Sequence, residues 1–310
     1  TLSIAGSSGA EGNSGTTPRS FTATLSAPVQ GQVQVNYATA DGSATLADAD
    51  YQAASGTLTF AASVTTQSLS VNVVGDTEVE PDQSFAVNLS GLNAPTGVTL
   101  GTASANGVIV NDDAASFAIS GASVIEGTGG STTLNFSVSL SAPVKDPVTV
   151  QYATVAGSAS TPADFASASG TLTFSGSQST QLVPVSIVSD NLVEPDESFT
   201  MALSNASGAT IASATATGTI INDDAAALSV NDIAQPEGNS GGTTPFVFTI
   251  SSSQPSASPI TVNYQTSDGS GAAPQDYAPA SGTATIPAGA TSTAVTVQVV
   301  ADNLLEPNET

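Results

Sequence analysis

The sequence contains no cysteine, no histidine and no tryptophan, and its only basic residues are Arg19 and Lys145. Without cysteine the chain forms no disulfide, no thiolate metal site and no cysteine nucleophile. Without histidine it lacks the usual base of serine and cysteine hydrolases. Carboxylate pairs suit glycoside hydrolysis, but here the same acids recur in every copy of a repeat. We therefore predict a non-enzymatic segment, with Lys145 as a surface charge in a loop.

The charge of the chain is strongly negative, at −24, because 26 acids face those two basic residues. Nucleic acids and anionic membrane surfaces both attract basic proteins, so neither is expected as a partner. Disorder is also excluded, since only 9% of residues are charged, 39% are hydrophobic and the apolar residues alternate. No apolar run approaches the roughly 20 residues of a membrane helix. The first residues already have a strand pattern, so we expect a segment of a longer protein.

Several motifs occur three times in the same order. A Glu-Gly pair begins at 11, 126 and 237, and Asn-Asp-Asp occurs at 111–113 and again at 222–224. The second and third Glu-Gly pairs are 111 residues apart. Such a period is typical of whole domains in tandem, since solenoid units span about 20–50 residues. We predict three domains, at residues 1–113, 114–224 and 225–310.

The apolar residues within each copy alternate, which favours strands, and Gly, Ser, Asn, Asp and Pro separate the runs. In the second copy this pattern predicts seven strands, at about 116–120, 133–140, 148–154, 170–174, 181–188, 198–204 and 215–221. Seven short strands indicate an all-β fold of tandem, seven-stranded, antiparallel immunoglobulin-like Greek-key sandwiches. The lack of tryptophan and disulfide distinguishes it from antibody domains.

The third copy is incomplete, because Thr310 aligns with Ser198 and the counterpart of residues 199–224 is absent from the sequence. A sandwich without its last two strands exposes an open edge. The leading interpretation is a partial segment of a longer chain. The alternative is that another copy of the chain supplies the strands by strand addition.

Acidic residues occupy matching loop positions in all copies: after the first strand, before an aromatic residue and in a Glu-Pro turn. The first two copies add a closing Asp pair. These acids are Glu11, Asp50, Asp76, Glu80, Asp112 and Asp113; Glu126, Asp164, Asp190, Glu194, Glu197, Asp223 and Asp224; and Glu237, Asp276, Asp302, Glu306 and Glu309. Alternate loops of an antiparallel sandwich fall at one end, so these acids are expected to converge. Carboxylates without a basic partner favour a hard cation, Ca²⁺ before Mg²⁺.

Together the motifs resemble the Calx-beta domain, found in sodium–calcium exchangers, integrin β4 and large bacterial surface proteins. The resemblance rests on Glu-Gly-Asn-Ser-Gly at 11–15 and 237–241, Asp-Tyr at 50–51, Val-Glu-Pro-Asp-Glu-Ser-Phe at 193–199 and Ile-Ile-Asn-Asp-Asp at 220–224. It implies calcium ligands at the same acids, near the end that leads into the next domain. Gln83, Asn111 and Asn222 replace acids of the family pattern, so the resemblance implies about one to three ions per complete site.

The function expected from these features is a calcium-binding stalk or fibre of an extracellular or cell-surface protein, of bacterial origin. Calcium would rigidify the junctions between neighbouring repeats, which are the expected partners. One alternative is an accessory binding array of a large secreted enzyme. Another is a filament whose neighbouring chains complete each other by strand donation.

Overall fold

The structure is a computed structural model that describes residues 1–239, 241–304 and 307–310. These residues form strands, turns and loops and no helix, which confirms the predicted all-β class. Within this described part, no helix is long and apolar enough to cross a membrane. Two complete units of stacked sheets are present, each with its own hydrophobic core.

The strands of residues 1–113 form a three-stranded sheet in the order β1-β3-β6 and a five-stranded sheet in the order β2-β8-β7-β4-β5. Their bounds are β1 (Leu2–Ala5), β2 (Ser7–Ala10), β3 (Thr16–Leu25), β4 (Val33–Ala40), β5 (Ser55–Phe60), β6 (Thr66–Val74), β7 (Gln83–Asn93) and β8 (Ser104–Val110). The strands alternate between buried and exposed residues, as half-buried sandwich strands do.

Residues 114–224 repeat this arrangement with a four-stranded sheet, β14-β11-β9-β16, and a five-stranded sheet, β10-β17-β15-β12-β13. The bounds are β9 (Ser116–Ser120), β10 (Ala122–Ile125), β11 (Gly130–Leu140), β12 (Val144–Val155), β13 (Ser169–Gly176), β14 (Thr180–Ser189), β15 (Glu197–Ser207), β16 (Thr210–Ser213) and β17 (Thr215–Ile221).

The second copy therefore has two short strands, β10 and β16, that the sequence pattern did not predict. The first strand of each complete copy is divided by a glycine, Gly6 or Gly121, and its second half joins the other sheet. A Cβ at Gly121 would lie 2.4 Å from the carbonyl oxygen of Thr217, so only glycine permits this close crossing. The sequence predicted purely antiparallel sheets. The structure differs, because β10 pairs in parallel with β17.

Residues 225–310 contain five described strands: β18 (Leu228–Val230), β19 (Thr243–Ser252), β20 (Ile260–Gln265), β21 (Ser281–Ile286) and β22 (Ser292–Val300). They pair as β18-β19-β22 and β20-β21. A cleft of about 1510 Å³ lies between them, lined by Phe246, Phe248 and Tyr264 among others. In the two complete copies the corresponding space is filled by the strands that match β15 and β17.

Aromatic rings dominate the two complete cores. Phe165 stacks on Phe199 with ring centroids 4.2 Å apart, and Phe136 meets the same ring at 5.7 Å. In the first copy Tyr51 stacks on Phe85 at 4.5 Å. Each stacked ring directly follows, or lies close in sequence to, an acidic loop residue. Packing of the core therefore holds two acidic loops in fixed relative positions.

Neighbouring repeats dock through the Glu-Pro turn. Val79 forms a parallel bridge with Val144 of the next repeat, and its N–H donates to the carbonyl of Pro143 at 3.0 Å. Val193 bridges Ser256 in the same way, and its N–H donates to Pro255 at 3.1 Å. The same turn thus carries acidic residues and contacts the following repeat.

Candidate metal centres

The Glu-Gly turn brings a buried glutamate to the end of each complete sandwich. Glu11 and Glu126 directly follow β2 and β10 and are 4% and 6% exposed. The next residue is a glycine with a φ of 84° or 86°, which favours glycine. Its N–H donates to Oδ1 of the first closing aspartate, Asp112 at 3.0 Å and Asp223 at 2.9 Å. The first and last loops of each repeat are therefore joined.

In the first repeat this turn forms a compact carboxylate cluster. Glu11, Asp112 and Asp113 each offer an oxygen within 4.8 Å of the others. Burial raises the pKa of Glu11 to about 7, and the charges of Asp76, Glu80 and the closing aspartates add to the effect. The cluster is destabilised by its own charge, which a bound cation would relieve.

The aspartate before the aromatic residue is fixed by its own loop. Oδ2 of Asp50, Asp164 and Asp276 accepts an N–H from the start of the loop, at 2.7, 2.6 and 2.7 Å. Because the geometry is the same in three repeats, the loop sequence sets the orientation of each carboxylate. The aspartate that opens the Glu-Pro turn, Asp76 or Asp190, accepts the N–H two residues further on, at 2.7 Å in both cases.

The second repeat has a second compact cluster. Asp164, Glu194 and Glu197 each offer an oxygen within 4.8 Å of the others. Burial raises the pKa of Glu197 to about 7, with further contributions from the charge and a hydrogen bond of Asp164. Burial also raises the pKa of Glu126 to about 7, followed by the charge of Asp190. The charges of Asp190, Glu194 and Asp224 act on these groups, so the acids of this repeat share one end.

Asn111 and Asn222, interpreted from sequence only as lost acids, have a structural role. Oδ1 of Asn111 accepts the N–H of Glu80 at 3.2 Å, and its Nδ2 donates to the carbonyl of Asp113 at 3.0 Å. Asn222 makes the equivalent bonds, at 3.3 and 3.0 Å. The asparagines therefore join the Glu-Pro turn to the closing aspartates.

Two acids that the sequence did not single out support this connection. Oδ1 of Asp82 accepts the N–H of Asn111 at 3.1 Å, and Asp196 accepts that of Asn222 at 3.1 Å. Their position directly after the proline in both turns is the signal by which repeat comparison would have found them.

The third repeat brings some of its predicted acids together. Burial and then the charges of Asp276 and Glu237 raise the pKa of Glu309, so these three lie close to one another. Asp302 accepts the N–H of Leu304 at 2.7 Å, as an Asx turn. Glu306, also predicted as a ligand, lies outside the described residues.

Lys145 is partly exposed, with 33% of its side chain accessible, but the expectation that it lies in a loop is wrong. Lys145 lies in β12, and its Nζ is 2.7 Å from Oε1 of Glu80 and 3.6 Å from Oδ2 of Asp48, both in the preceding repeat. Burial lowers the pKa of Lys145, but the hydrogen bond and charge of Glu80 outweigh it and raise the pKa overall. The first repeat therefore has a basic partner among its acids, contrary to the prediction.

The donor set fits a hard divalent cation. It consists of carboxylate and amide oxygens, which Ca²⁺ prefers. Asp224 is 7% exposed, and its Oδ2 has no hydrogen-bond partner within the described part of the chain, which also holds for Oδ2 of Asp113. A buried carboxylate oxygen without a partner is unfavourable, and a cation bound among these acids would satisfy it.

Comparison with known proteins gives the family. The profile of the Calx-beta domain matches residues 14–114, 111–225 and 239–310. No curated protein matches the chain. The crystal structure of CBD12 from CALX1.2 is similar, with 20% identity over 71% of this chain and 98% of that chain and a TM-score of 0.34.

Two further solved structures are also similar. The calcium binding domain CBD12 of CALX1.1 has 22% identity, over 66% of this chain and 79% of that chain, with a TM-score of 0.34. The apo-form Calx CBD1 domain has 26% identity, over 36% of this chain and all (100%) of that chain, with a TM-score of 0.33. The profile match covers most of the sequence in three tandem segments, and the chain therefore belongs to the Calx-beta domain family.

Proposed function

We propose that these repeats are a non-catalytic calcium-binding array of an extracellular or cell-surface protein, a bacterial adhesin stalk or fibre. Calx-beta domains are a calcium-binding domain family. One observation carries the proposal for this chain: acids from four separate loops converge at the end of each complete sandwich that docks on the next repeat. The domain boundaries proposed for the array are 1–113, 114–224 and 225–310.

In the first repeat the groups that would hold the ion are Glu11, Asp76, Asp112 and Asp113. In the second they are Glu126, Asp164, Asp190, Glu194, Glu197, Asp223 and Asp224. Bound Ca²⁺ would supply positive charge among these acids, beyond the one ammonium of Lys145 at Glu80. Backbone N–H groups of the loops orient these carboxylates, and the aromatic stacks of the core hold the loops in place.

The link to rigidity comes from the Glu-Pro turn. Val193 contacts the next repeat, while Glu194 beside it is one of the clustered acids. When the acids repel one another, the turn that carries the docking contact is destabilised. Neutralising them holds the turn, and with it the angle between neighbouring repeats.

Calcium titration of the whole chain, followed by thermal melting and small-angle scattering, tests the proposal. Calcium should raise the melting temperature and lengthen the mean end-to-end distance, while a chelator should reverse both. Magnesium at the same ionic strength is the control for general screening. If melting curves and scattering profiles are identical in calcium and in chelator, the proposed function is wrong.

A further inference from the structure

The two junctions of the chain have the same backbone docking and different side chains at one position. Val79 accepts the N–H of Lys145 at 3.1 Å, and Val193 accepts that of Ala257 at 3.0 Å. Lys145 and Ala257 therefore occupy equivalent places, each facing the Glu-Pro turn of the preceding repeat. One places a cation there and the other a methyl group.

The acidic residues opposite differ in a matching way. In the second repeat the cluster is Asp164, Glu194 and Glu197. In the first repeat Asp50 and Glu80 match two of these, and Gln83 stands in the place of Glu197. Gln83 thus removes one negative charge beside Glu80, where the next repeat provides a positive one.

In the first repeat the carboxylate of Glu80 finds both of its hydrogen-bond donors within the chain. Oε1 of Glu80 accepts from Nζ of Lys145 at 2.7 Å, and Oε2 accepts from Nε2 of Gln83. The side chain of Glu80 is only 8% exposed. Both oxygens of this buried carboxylate therefore have a donor, as buried charges require.

Asp48 is a second acidic partner of Lys145. Its Oδ2 lies 3.6 Å from Nζ of Lys145, and it stands two residues before Asp50. The residues two positions before Asp164 and Asp276 are Pro162 and Pro274. An additional carboxylate thus occurs only in the repeat that meets the lysine.

The second-repeat site has no such partner. No basic residue follows Lys145 in the sequence, so the carboxylates of Asp164, Glu194 and Glu197 face one another without a counter-charge from the chain. In the same repeat Oδ2 of Asp224, a residue that is 7% exposed, has no hydrogen-bond partner among the described residues. The same holds for Oδ2 of Asp113 in the first repeat. An unpartnered carboxylate oxygen therefore marks the closing-aspartate half of both sites, and the two repeats differ in the other half.

We propose that the ammonium of Lys145 is the permanent cation of the Asp48, Asp50 and Glu80 half of the first site, in the place of one calcium ion. The matching half of the second site, Asp164, Glu194 and Glu197, takes a calcium ion instead. This inference rests on the proposed function and adds that the two junctions differ. The first junction is held partly by an ion pair within the chain, and the second depends on calcium.

Exchanging the residues tests the assignment in both directions. Calcium stoichiometry is measured on the full chain by equilibrium dialysis with elemental analysis, and affinity by calorimetry. The double variant Gln83→Glu/Lys145→Ala should bind one ion more than the unchanged chain. Ala257→Lys should bind one fewer, because its ammonium enters the second site.

Ser258→Lys is the matched control, since it adds the same charge one residue further along and should keep the original stoichiometry. Circular dichroism confirms that each variant is folded, and the two directions of exchange are independent of each other. Unchanged stoichiometry in both exchange variants would overturn the inference while leaving the proposed function intact. If the chain without any substitution takes up no calcium, both the proposed function and this inference are wrong.

A second measurement follows the junctions directly. The chain has no cysteine, so spin labels can be placed at introduced cysteine pairs on exposed strand positions, Thr22 with Thr180 and Thr180 with Ser281. On addition of chelator, the distance distribution should broaden more for the second pair than for the first. In Lys145→Ala the first pair should broaden as much as the second. Equal broadening of both pairs in the unchanged chain would contradict the assignment.

Discussion

Replacing Glu197 with glutamine should stabilise the second repeat without calcium and reduce the stabilisation that calcium adds. Glu197 offers an oxygen within 4.8 Å of oxygens from Asp164 and Glu194. The substitution keeps the size and hydrogen-bonding capacity of the side chain and removes its charge. It also reproduces the residue that the first repeat has at this place, Gln83.

The expected change in stability without metal follows from Coulomb's law. At 4.8 Å, the upper limit of the separations between these oxygens, two unit charges repel by about 1 kcal/mol in bulk water and about 3.5 kcal/mol at an effective dielectric constant of 20. Glu197 is half-buried, so we take the lower part of this range and expect about 1–2 kcal/mol of added stability without metal. For a repeat of roughly 110 residues this raises Tm by about 4–8 °C.

With calcium the same change removes an anionic ligand. A tenfold weaker affinity corresponds to about 1.4 kcal/mol less stabilisation by the ion. The rise in Tm that calcium produces should therefore shrink by about as much as the rise gained in chelator.

Differential scanning calorimetry in calcium and in chelator measures both effects, because the repeats can melt in separate transitions. Asp146→Asn is the control: its carboxylate is exposed, so removing one charge there should change Tm little under either condition. A lower Tm of Glu197→Gln in chelator would show that the charge repulsion argument is wrong. An unchanged calcium-induced rise would remove Glu197 from the ligand set.

Three further substitutions test the structure. Phe199→Ala should destabilise the second repeat by about 3–5 kcal/mol, because its ring packs against two other buried rings; urea unfolding measures this. Asn222→Ala should cost about 1–3 kcal/mol and weaken calcium binding, because it frees the Glu-Pro turn from the closing aspartates; calorimetry measures both, and unchanged affinity would contradict the bridging role. Gly121→Ala should lower Tm by several degrees through a backbone clash of about 1–3 kcal/mol, whereas Gly242→Ala, which meets no atom within 4 Å, should not.

The repeated motifs made most of the fold predictable. Alternation of apolar residues identified the strands, and the threefold order of the motifs identified tandem copies. Crossing of the first strand was not predictable from alternation, because alternation is the same whichever sheet a strand joins. The glycines at 6 and 121 mark the crossing, but a glycine within a strand has several meanings.

The acidic loops were predictable as a set because strand order places alternate loops at one end. The partner of Glu80 was not, since Lys145 lies 65 residues further on and in another repeat. Contacts between repeats leave no periodic signal in a single copy. Two differences between the copies carried the information. Position 83 is a glutamine where the other copies have glutamate, and position 145 is a lysine where the first copy has Gln30 and the third has Ala257.

The crossing strand has a mechanical consequence. The second half of the first strand, β10, runs parallel to the last strand, β17, in four paired positions from Ala122 with Gly218 to Ile125 with Ile221. A tensile force on the two ends of the repeat therefore slides these strands past each other, and their hydrogen bonds are loaded together instead of one after another. We expect each complete repeat to resist stretching in single-molecule pulling and to yield in one abrupt step; gradual extension at low force would contradict this geometry.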